Sequence, residues 1–180
     1  MKYNHDIHHR RSIRLKSYDY SKPGAYFITL CVQSRQCLFG EMVKGEMKLN
    51  GYGKFALQFW LEIPDYYSNV ELDKFIVMPN HIHGILIIKN TVGVQNLEPL
   101  QNKFQRIIPK SIGSIIRGYK IGVTKWFRNN TNIYSVWQRN YYEHIIRNEK
   151  ELNQIREYIS NNPLQWELDS ENPQNIRRTT

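Results

Sequence analysis

Cysteine and long apolar runs are scarce in this sequence of 180 residues. Its two cysteines, Cys31 and Cys37, have the spacing of neither a zinc knuckle nor a redox pair, and they make no disulfide framework. The longest aliphatic run, at residues 85–88, is far shorter than the roughly 20 residues of a membrane-spanning helix. The first residues also lack the apolar stretch of a secretory signal. We therefore expect a soluble protein in a reducing, cytoplasmic setting without a membrane partner.

Acidic residues are missing from one long basic segment. Residues 103–128 hold seven Lys and Arg and no Asp or Glu, and residues 1–22 hold six basic residues against two acidic ones. These two blocks carry the excess behind the formal net charge of +9. Such segregated charge favours a polyanionic partner, most often nucleic acid, over the alternative of a solvated basic surface.

The hydrophobic pattern predicts strands and helices that alternate along one domain. Runs rich in β-branched and aromatic residues predict strands, and apolar residues at 3.6-residue spacing predict helices. The predicted strands span residues 25–32, 72–78, 81–88 and 136–146, with a small hairpin around Lys44-Gly45, and the predicted helices span residues 53–66, 111–127 and 149–161. This order predicts an α+β fold in which helices pack on an antiparallel sheet.

Turn and capping residues set the expected boundaries. Pro64 and Pro163 are predicted to end helices, and Asn148 with Glu151 has the pattern of a capping box before the last helix. We divide the chain into a basic N-terminal arm (1–22), a single domain (23–163) and a polar, loosely held C-terminal tail (164–180).

Two histidines share one face of a predicted strand. Side chains alternate between faces along a strand, so His81 and His83 point the same way. Two imidazoles on one face can share a divalent metal ion, although ordinary hydrogen-bonded sheet histidines are an equal alternative.

A tyrosine and an amide lie on the last predicted helix. Tyr158 and Asn162 are four residues apart and so share a helical face. A phenol can act as a nucleophile and an amide oxygen can ligate a metal, but most tyrosines only pack.

Taken together, these features resemble the HUH-type single-tyrosine transposases, in particular the REP-associated tyrosine transposases of bacteria. The resemblance covers nearly the whole chain. Its most specific parts are Met78-Pro79-Asn80-His81-Ile82-His83 and Tyr158-Ile159-Ser160-Asn161-Asn162-Pro163, in that order. Further matching segments lie at residues 11–15, 18–21, 24–29, 137–139 and 142–147.

The resemblance implies a ferredoxin-like (RRM-like) antiparallel sheet with HUH endonuclease architecture. It implies that His81, His83 and Asn162 bind Mg²⁺ or Mn²⁺ and that Tyr158 is the nucleophile. The implied activity is cleavage and rejoining of single-stranded DNA near hairpins, through a 5′-phosphotyrosine intermediate, by a transposase that acts as a monomer or homodimer on DNA of the bacterial nucleoid. Glu143 and His144, on the adjacent predicted strand, are candidates to assist Tyr158, with surface hydrogen bonding as the alternative.

The basic blocks then supply candidate DNA contacts with little sequence preference. The predicted contacts are Arg10, Arg11, Arg14 and Lys16 in the arm and Arg117, Lys120, Lys125 and Arg128 on the basic helix. Aromatic residues such as Tyr119, Trp126, Tyr141 and Tyr142 are candidates to stack on unpaired bases or to belong to the core.

Two alternatives remain open at this point. One is a module of the same fold that binds hairpin DNA or RNA without cutting it. The other is a metal-dependent phosphoesterase that uses water as its nucleophile and in which Tyr158 is only structural.

Overall fold

The computed structural model of the chain describes residues 18–90 and 108–176. Its strands are β1 (Gly24–Cys31), β2 (Gly40–Val43), β3 (Glu46–Leu49), β4 (Val70–Val77), β5 (His81–Ile88) and β6 (Tyr142–Ile146). Its helices are α1 (Gly51–Leu61), α2 (Ile63–Tyr66), α3 (Ile112–Asn130), α4 (Glu149–Asn161) and α5 (Pro173–Ile176), with 3₁₀ turns at Gln33–Arg35 and Asn162–Leu168. None of the helices in these two ranges combines the length and apolar character required to cross a membrane.

A four-stranded sheet with the order β4-β5-β1-β6 forms the centre of the fold, and every neighbouring pair in it is antiparallel. The strands β2 and β3 form a separate hairpin. The order of the main elements is β1-α1-β4-β5-α3-β6, which is the ferredoxin-like β-α-β-β-α-β arrangement. The predicted α+β, ferredoxin-like fold is therefore confirmed.

The two faces of the sheet are covered by different helices. Ile28 of β1 and Ile82 of β5 face a large core that includes Trp60 of α1 and Ile116 of α3. The opposite face is covered by α4, whose Ile159 packs in a smaller cluster with residues from β1, β5 and β6. Because side chains alternate along β5, His81 and His83 lie on the α4 face while Ile82 lies in the large core.

Side-chain caps define the starts of three helices. Asn50, Ser111 and Asn148 each accept a hydrogen bond from a backbone N–H in the first turn of α1, α3 and α4, respectively. The predicted cap at Asn148 is confirmed. The reciprocal bond of a capping box is absent, because the Glu151 carboxylate accepts the backbone N–H of Arg147, at 2.7 Å, rather than that of Asn148.

Two local predictions, both about element boundaries, need correction. The strand predicted over residues 136–146 begins only at Tyr142, because the buried Val136 and Trp137 lie in an irregular segment that makes just one isolated bridge, to Val32. Pro64 does not end the helical segment but lies in the first turn of α2. Pro163 follows the end of α4 at Asn161, as predicted, and stands in the first turn of the 3₁₀ helix that comes next.

Candidate active site

His81 and His83 lie side by side on β5 beneath α4. Both side chains are buried, and their ring centroids are 4.5 Å apart. Burial lowers the pKa of each imidazole below its ordinary value. At His81 the charges of Asp169 and Glu171 oppose this effect, whereas at His83 the neighbouring His81 reinforces it. Both rings are therefore neutral near pH 7, which is the form that ligates a metal.

The Nδ1 atoms of both rings are occupied by neighbouring side chains. The Nδ1 atom of His81 is 2.9 Å from Oδ1 of Asn80, and Nδ1 of His83 is 2.9 Å from Oγ1 of Thr29. Thr29 is the cross-strand partner of His83 on β1. These contacts leave the Nε2 atoms to face the space beneath α4, where Nε2 of His81 is buried without a hydrogen-bond partner among the described residues.

Tyr158 reaches this space from the last turn of α4. Its hydroxyl oxygen is 3.3 Å from Nε2 of His83, and its ring packs against His83 and edge-on against Phe27. The side chain is 43% exposed, so a substrate can reach the hydroxyl. Burial of the ring raises the pKa of Tyr158, and the negative charge of Asp169 raises it further. The phenol is therefore protonated near neutral pH.

Asn162 lies one helical turn after Tyr158, as the spacing predicts. Its side chain is buried, and its Oδ1 atom has no hydrogen-bond partner within the described ranges. Its Nδ2 atom donates a hydrogen bond to Oδ2 of Asp169 at 3.4 Å. The amide oxygen is thus a buried acceptor without a donor, which is the state expected of an oxygen that ligates a cation.

Asp169 is the site residue that the sequence analysis missed. Its side chain is 8% exposed, and its Oδ2 atom is 3.8 Å from Nε2 of His81. Potential ligand atoms of His81, His83 and Asp169 all lie within 4.8 Å of one another. Asp169 follows the 3₁₀ helix in the segment expected to be a loosely held tail, and its local sequence has no motif that distinguishes it from the other acids there.

The donor set fits a divalent cation. Two imidazole nitrogens and one carboxylate oxygen lie within 4.8 Å of one another, and the Asn162 amide contacts that carboxylate. Nε2 of His81 and Oδ1 of Asn162 are buried without partners among the described residues. Nitrogen and oxygen ligands of this kind are compatible with Mn²⁺ and, less favourably for the imidazoles, Mg²⁺. The expectation of a metal site is supported by this cluster.

Two proteins of Haemophilus influenzae are similar to this chain in sequence. No known family profile matches the chain. An uncharacterized protein of Haemophilus influenzae is 52% identical over 173 residues, covering 93% of this chain and 96% of that protein, and the two belong to one family. A second Haemophilus influenzae protein, named "Putative REP-associated tyrosine transposase", is 24% identical over 151 residues, covering 81% of this chain and 73% of that protein.

A solved structure of a REP-associated tyrosine transposase bound to a REP hairpin superimposes with a TM-score of 0.58 and 19% identity, covering 85% of this chain and 74% of that one. The chain has the fold of the REP-associated tyrosine transposases. The resemblance predicted from its sequence motifs is thereby confirmed.

Within this fold, the predicted DNA contacts on α3 lie away from the two histidines. The side chains of Arg117, Lys120, Lys125 and Arg128 line a cleft of about 720 Å³ between α3 and residues 134–141. Because α3 packs on the sheet face opposite to α4, this basic cleft lies across the sheet from Tyr158. Arg10, Arg11, Arg14 and Lys16 lie outside the described residues.

Two of these four predicted contacts bind the protein's own backbone. The Lys120 ammonium donates to the carbonyls of Gln138, at 2.6 Å, and Arg139, at 3.3 Å, while Nε of Arg128 donates to the carbonyl of Tyr134, at 2.9 Å. Burial lowers the pKa of Lys120. Arg117 and Lys125 form no hydrogen bond or ion pair with other described residues, so these two remain available to a ligand in the cleft.

Of the two candidate bases on β6, one lies on the other face of the sheet from Tyr158 and one is hydrogen-bonded to a carboxylate. In the pairing register Glu143 lies opposite Ile28, which places Glu143 on the large-core face of the sheet. His144 lies on the α4 face, but its Nε2 atom is 2.7 Å from the Glu151 carboxylate at the start of α4. Among the aromatic candidates for base stacking, Tyr119 is buried and donates to the carbonyl of Ala56. Tyr142 is half exposed beside Phe27 on the α4 face of the sheet.

Proposed function

We propose that the protein is a metal-dependent single-stranded DNA endonuclease and strand transferase that acts near DNA hairpins through a 5′-phosphotyrosine intermediate. The observation that carries the proposal is the position of the Tyr158 hydroxyl, half exposed and 3.3 Å from Nε2 of His83, at the edge of a His-His-Asn-Asp cluster. A nucleophile beside a cation site is the arrangement that phosphoryl transfer requires.

The proposed reaction exchanges one phosphoester for another. Oη of Tyr158 attacks the scissile phosphorus, the new Oη–P bond forms as the P–O3′ bond breaks, and the departing 3′-oxygen takes up a proton. A different 3′-hydroxyl can later attack the phosphotyrosine, which re-forms the phosphodiester and returns Tyr158 to its free form. Because the ester energy is conserved in the adduct, strand transfer needs no added energy source.

The chain's own residues prepare this attack. The pKa of Tyr158 is raised, so removal of its hydroxyl proton is a necessary part of the step. Phe27 and His83 contact the phenol ring and hold it over the sheet. A divalent ion bound by His81, His83, Asn162 and Asp169 would neutralise the negative charge that develops on the phosphate. With one carboxylate among these ligands, such an ion retains a net positive charge toward DNA.

The DNA partner is proposed from charge and from the solved relative. Arg117 and Lys125 in the basic cleft, together with the N-terminal arm, supply cations for a phosphate backbone. The related structure holds a REP hairpin, and we extend this type of ligand to the present chain. Its substrate would then be hairpin-bearing chromosomal DNA in the cytoplasm of a bacterium.

A covalent-adduct assay tests the proposal. Purified protein is incubated with 3′-labelled single-stranded hairpin oligonucleotides from the DNA flanking its own gene, with Mn²⁺ or Mg²⁺, and the products are run on a denaturing gel. We expect the label to move to protein mass for the wild type and for Tyr66→Phe, a matched control at an exposed tyrosine of α2. Tyr158→Phe should bind the same DNA and form no adduct.

The other outcomes discriminate between the alternatives. Cleaved DNA without an adduct, or cleavage by Tyr158→Phe, would assign the chemistry to water and reject the tyrosine mechanism. Binding without cleavage across a broad pool of hairpins would indicate a non-cleaving module. Cleavage that survives EDTA would refute the metal requirement.

A further inference from the structure

Asn80 lies at the turn between β4 and β5, directly before His81, and its side chain is buried beside the site. It is 1% exposed. Its Nδ2 atom donates to the carbonyl of Arg35, at 3.0 Å, and to the carbonyl of Glu171, at 2.7 Å. Its Oδ1 atom is 2.9 Å from Nδ1 of His81. All of its side-chain polar atoms therefore have partners inside the protein.

These partners determine the orientation of the Asn80 amide. Both carbonyls can only accept hydrogen bonds, so they must face the NH₂ group. A flipped amide would place Oδ1 against two carbonyl oxygens and lose both bonds. The amide oxygen is consequently the atom that faces Nδ1 of His81. Because this oxygen can only accept, Nδ1 of His81 must carry the hydrogen.

The position of that hydrogen decides what the other ring nitrogen can do. A neutral imidazole has one N–H, so Nε2 of His81 carries an in-plane lone pair. This atom is buried, has no hydrogen-bond partner among the described residues and lies 3.8 Å from the Asp169 carboxylate. Asp169 on its own would favour the opposite tautomer, in which Nε2–H donates to the carboxylate and cannot bind a cation.

We propose that Asn80 is a positioning residue that holds His81 in the Nδ1–H tautomer and so makes Nε2 the atom that ligates the cation. This inference rests on the proposed metal-dependent function. Partners of this kind on the far side of a ligating imidazole set its tautomer and orientation. Through the carbonyl of Glu171, the same amide also holds the segment that carries Asp169, so it aligns two ligands at once.

The test is the tautomer of His81 in the metal-free protein, read from ¹⁵N shifts of the imidazole nitrogens by NMR. We expect the wild type to show protonated Nδ1 and unprotonated Nε2. Asn80→Ala should move His81 toward the Nε2–H form, whereas Asn80→Asp, which keeps an acceptor but loses both donated bonds, should retain Nδ1–H. Thr29→Val is the matched control, because Thr29 contacts only His83 of the pair.

A titration with Mn²⁺ on the same proteins completes the test. We expect Asn80→Ala to weaken Mn²⁺ binding by about 10- to 100-fold and Asn80→Asp to weaken it less. An Nε2–H tautomer in the wild type would overturn the proposal even if no Asn80 variant folds. So would an unchanged tautomer in a folded Asn80→Ala protein. Wild-type protein that shows the expected tautomer and binds Mn²⁺ but forms no DNA adduct would instead refute the proposed function alone.

Discussion

At the scale of single residues, the site is defined by buried polar atoms that lack ordinary partners. Nε2 of His81 and Oδ1 of Asn162 are buried without a hydrogen bond among the described residues, and each such atom costs roughly 1–3 kcal/mol if nothing satisfies it. Both atoms lie near Asp169, and a cation bound there would satisfy them. The cost of burying these two atoms would then be recovered when the cation binds.

The contribution of each oxygen ligand can be measured separately. Asp169→Asn keeps a side-chain oxygen but removes a charge a few ångströms from the cation, so we expect Mn²⁺ affinity to fall by roughly tenfold or more. Asn162→Ala should also weaken binding, because it removes the unpartnered oxygen. Isothermal titration of Mn²⁺ in the absence of DNA measures both. Asp65→Asn, at an exposed acid of α2, is the control, and unchanged affinity in either test variant would exclude that oxygen as a ligand.

At the scale of elements, the position of Tyr158 depends on how α4 is held on the sheet. Arg156 of α4 forms a two-point ion pair with Asp73 of β4, through Nε to Oδ1 at 2.9 Å and Nη2 to Oδ2 at 2.5 Å. Arg156 and Tyr158 are two residues apart on the same helix. The ion pair thus links the nucleophile's helix to an edge strand of the sheet.

We expect Asp73→Asn to slow adduct formation while leaving hairpin binding intact, because α4 loses this link. The hydrogen bond from Arg156 holds the pKa of Asp73 below its ordinary value. The stabilisation is therefore present above the carboxyl's unfolded-state pKa of about 3.9 and is lost as the pH falls through the lower folded-state value. The difference in thermal midpoint between wild type and Asp73→Asn should shrink between pH 7 and pH 3.

The exposed pair Glu46–Lys48 on the β2–β3 hairpin provides the control for that experiment. Glu46→Gln should change neither adduct formation nor the thermal midpoint appreciably, since exposed ion pairs contribute little. An adduct rate in Asp73→Asn equal to that of the wild type would show that the apolar contacts of α4 are sufficient to position it.

We expect substitutions in the basic cleft beside α3 to change DNA binding, because the cleft lies across the sheet from Tyr158. Arg117→Gln and Lys125→Gln should each lower affinity for hairpin DNA about equally for all sequences. Each should also reduce the slope of log K against log salt by about 0.7 to 0.9. Lys54→Gln, at an exposed lysine of α1 that does not line the cleft, should leave the slope unchanged. An unchanged slope in both cleft variants would place the DNA elsewhere on the protein.

At the scale of the whole molecule, the sheet lies between the histidine site under α4 and the basic cleft beside α3. The packing on one face therefore affects the strand that carries the site on the other. His81 and His83 on β5 alternate with residues that pack against α1 and α3. Gly84 is one of these residues, and a Cβ there would overlap the ring of the buried Trp60. The absence of a side chain at Gly84 lets α1 approach the strand that carries His81 and His83.

We expect Gly84→Ala to destabilise the protein by about 1–3 kcal/mol, since an added methyl group overpacks a full core. For a chain of this size that corresponds to a fall in thermal midpoint of about 2–4 °C per kcal/mol. Gly51→Ala is the matched control: it lies at the start of α1 with open space around its Cβ position, so its midpoint should not fall. Calorimetry on both variants checks this, and an unchanged Gly84→Ala midpoint would mean that Trp60 relaxes without cost.

Much of the fold and the centre of the site were predictable from local sequence. Strands β1 and β5 and helix α4 match their predicted ranges to within about a residue, because their hydrophobic periods are unambiguous. His81, His83, Tyr158 and Asn162 carry information in their spacing, since a period of two on a strand and of four on a helix fixes which side chains share a face. Residues 136–141 were wrongly predicted as part of a strand, because buried apolar residues in an irregular segment have the composition of a strand.

The sequence by itself therefore determined which residues could act together within one element, and the charge that favours a nucleic-acid partner. Only the tertiary structure decided which elements meet. It brought Asp169 to His81 and Asn80 to Glu171, and it placed Arg117 and Lys125 on the face away from Tyr158. The physical reason is that these relations depend on how helices and chain ends pack on a sheet, and that packing leaves no periodic signal along the chain.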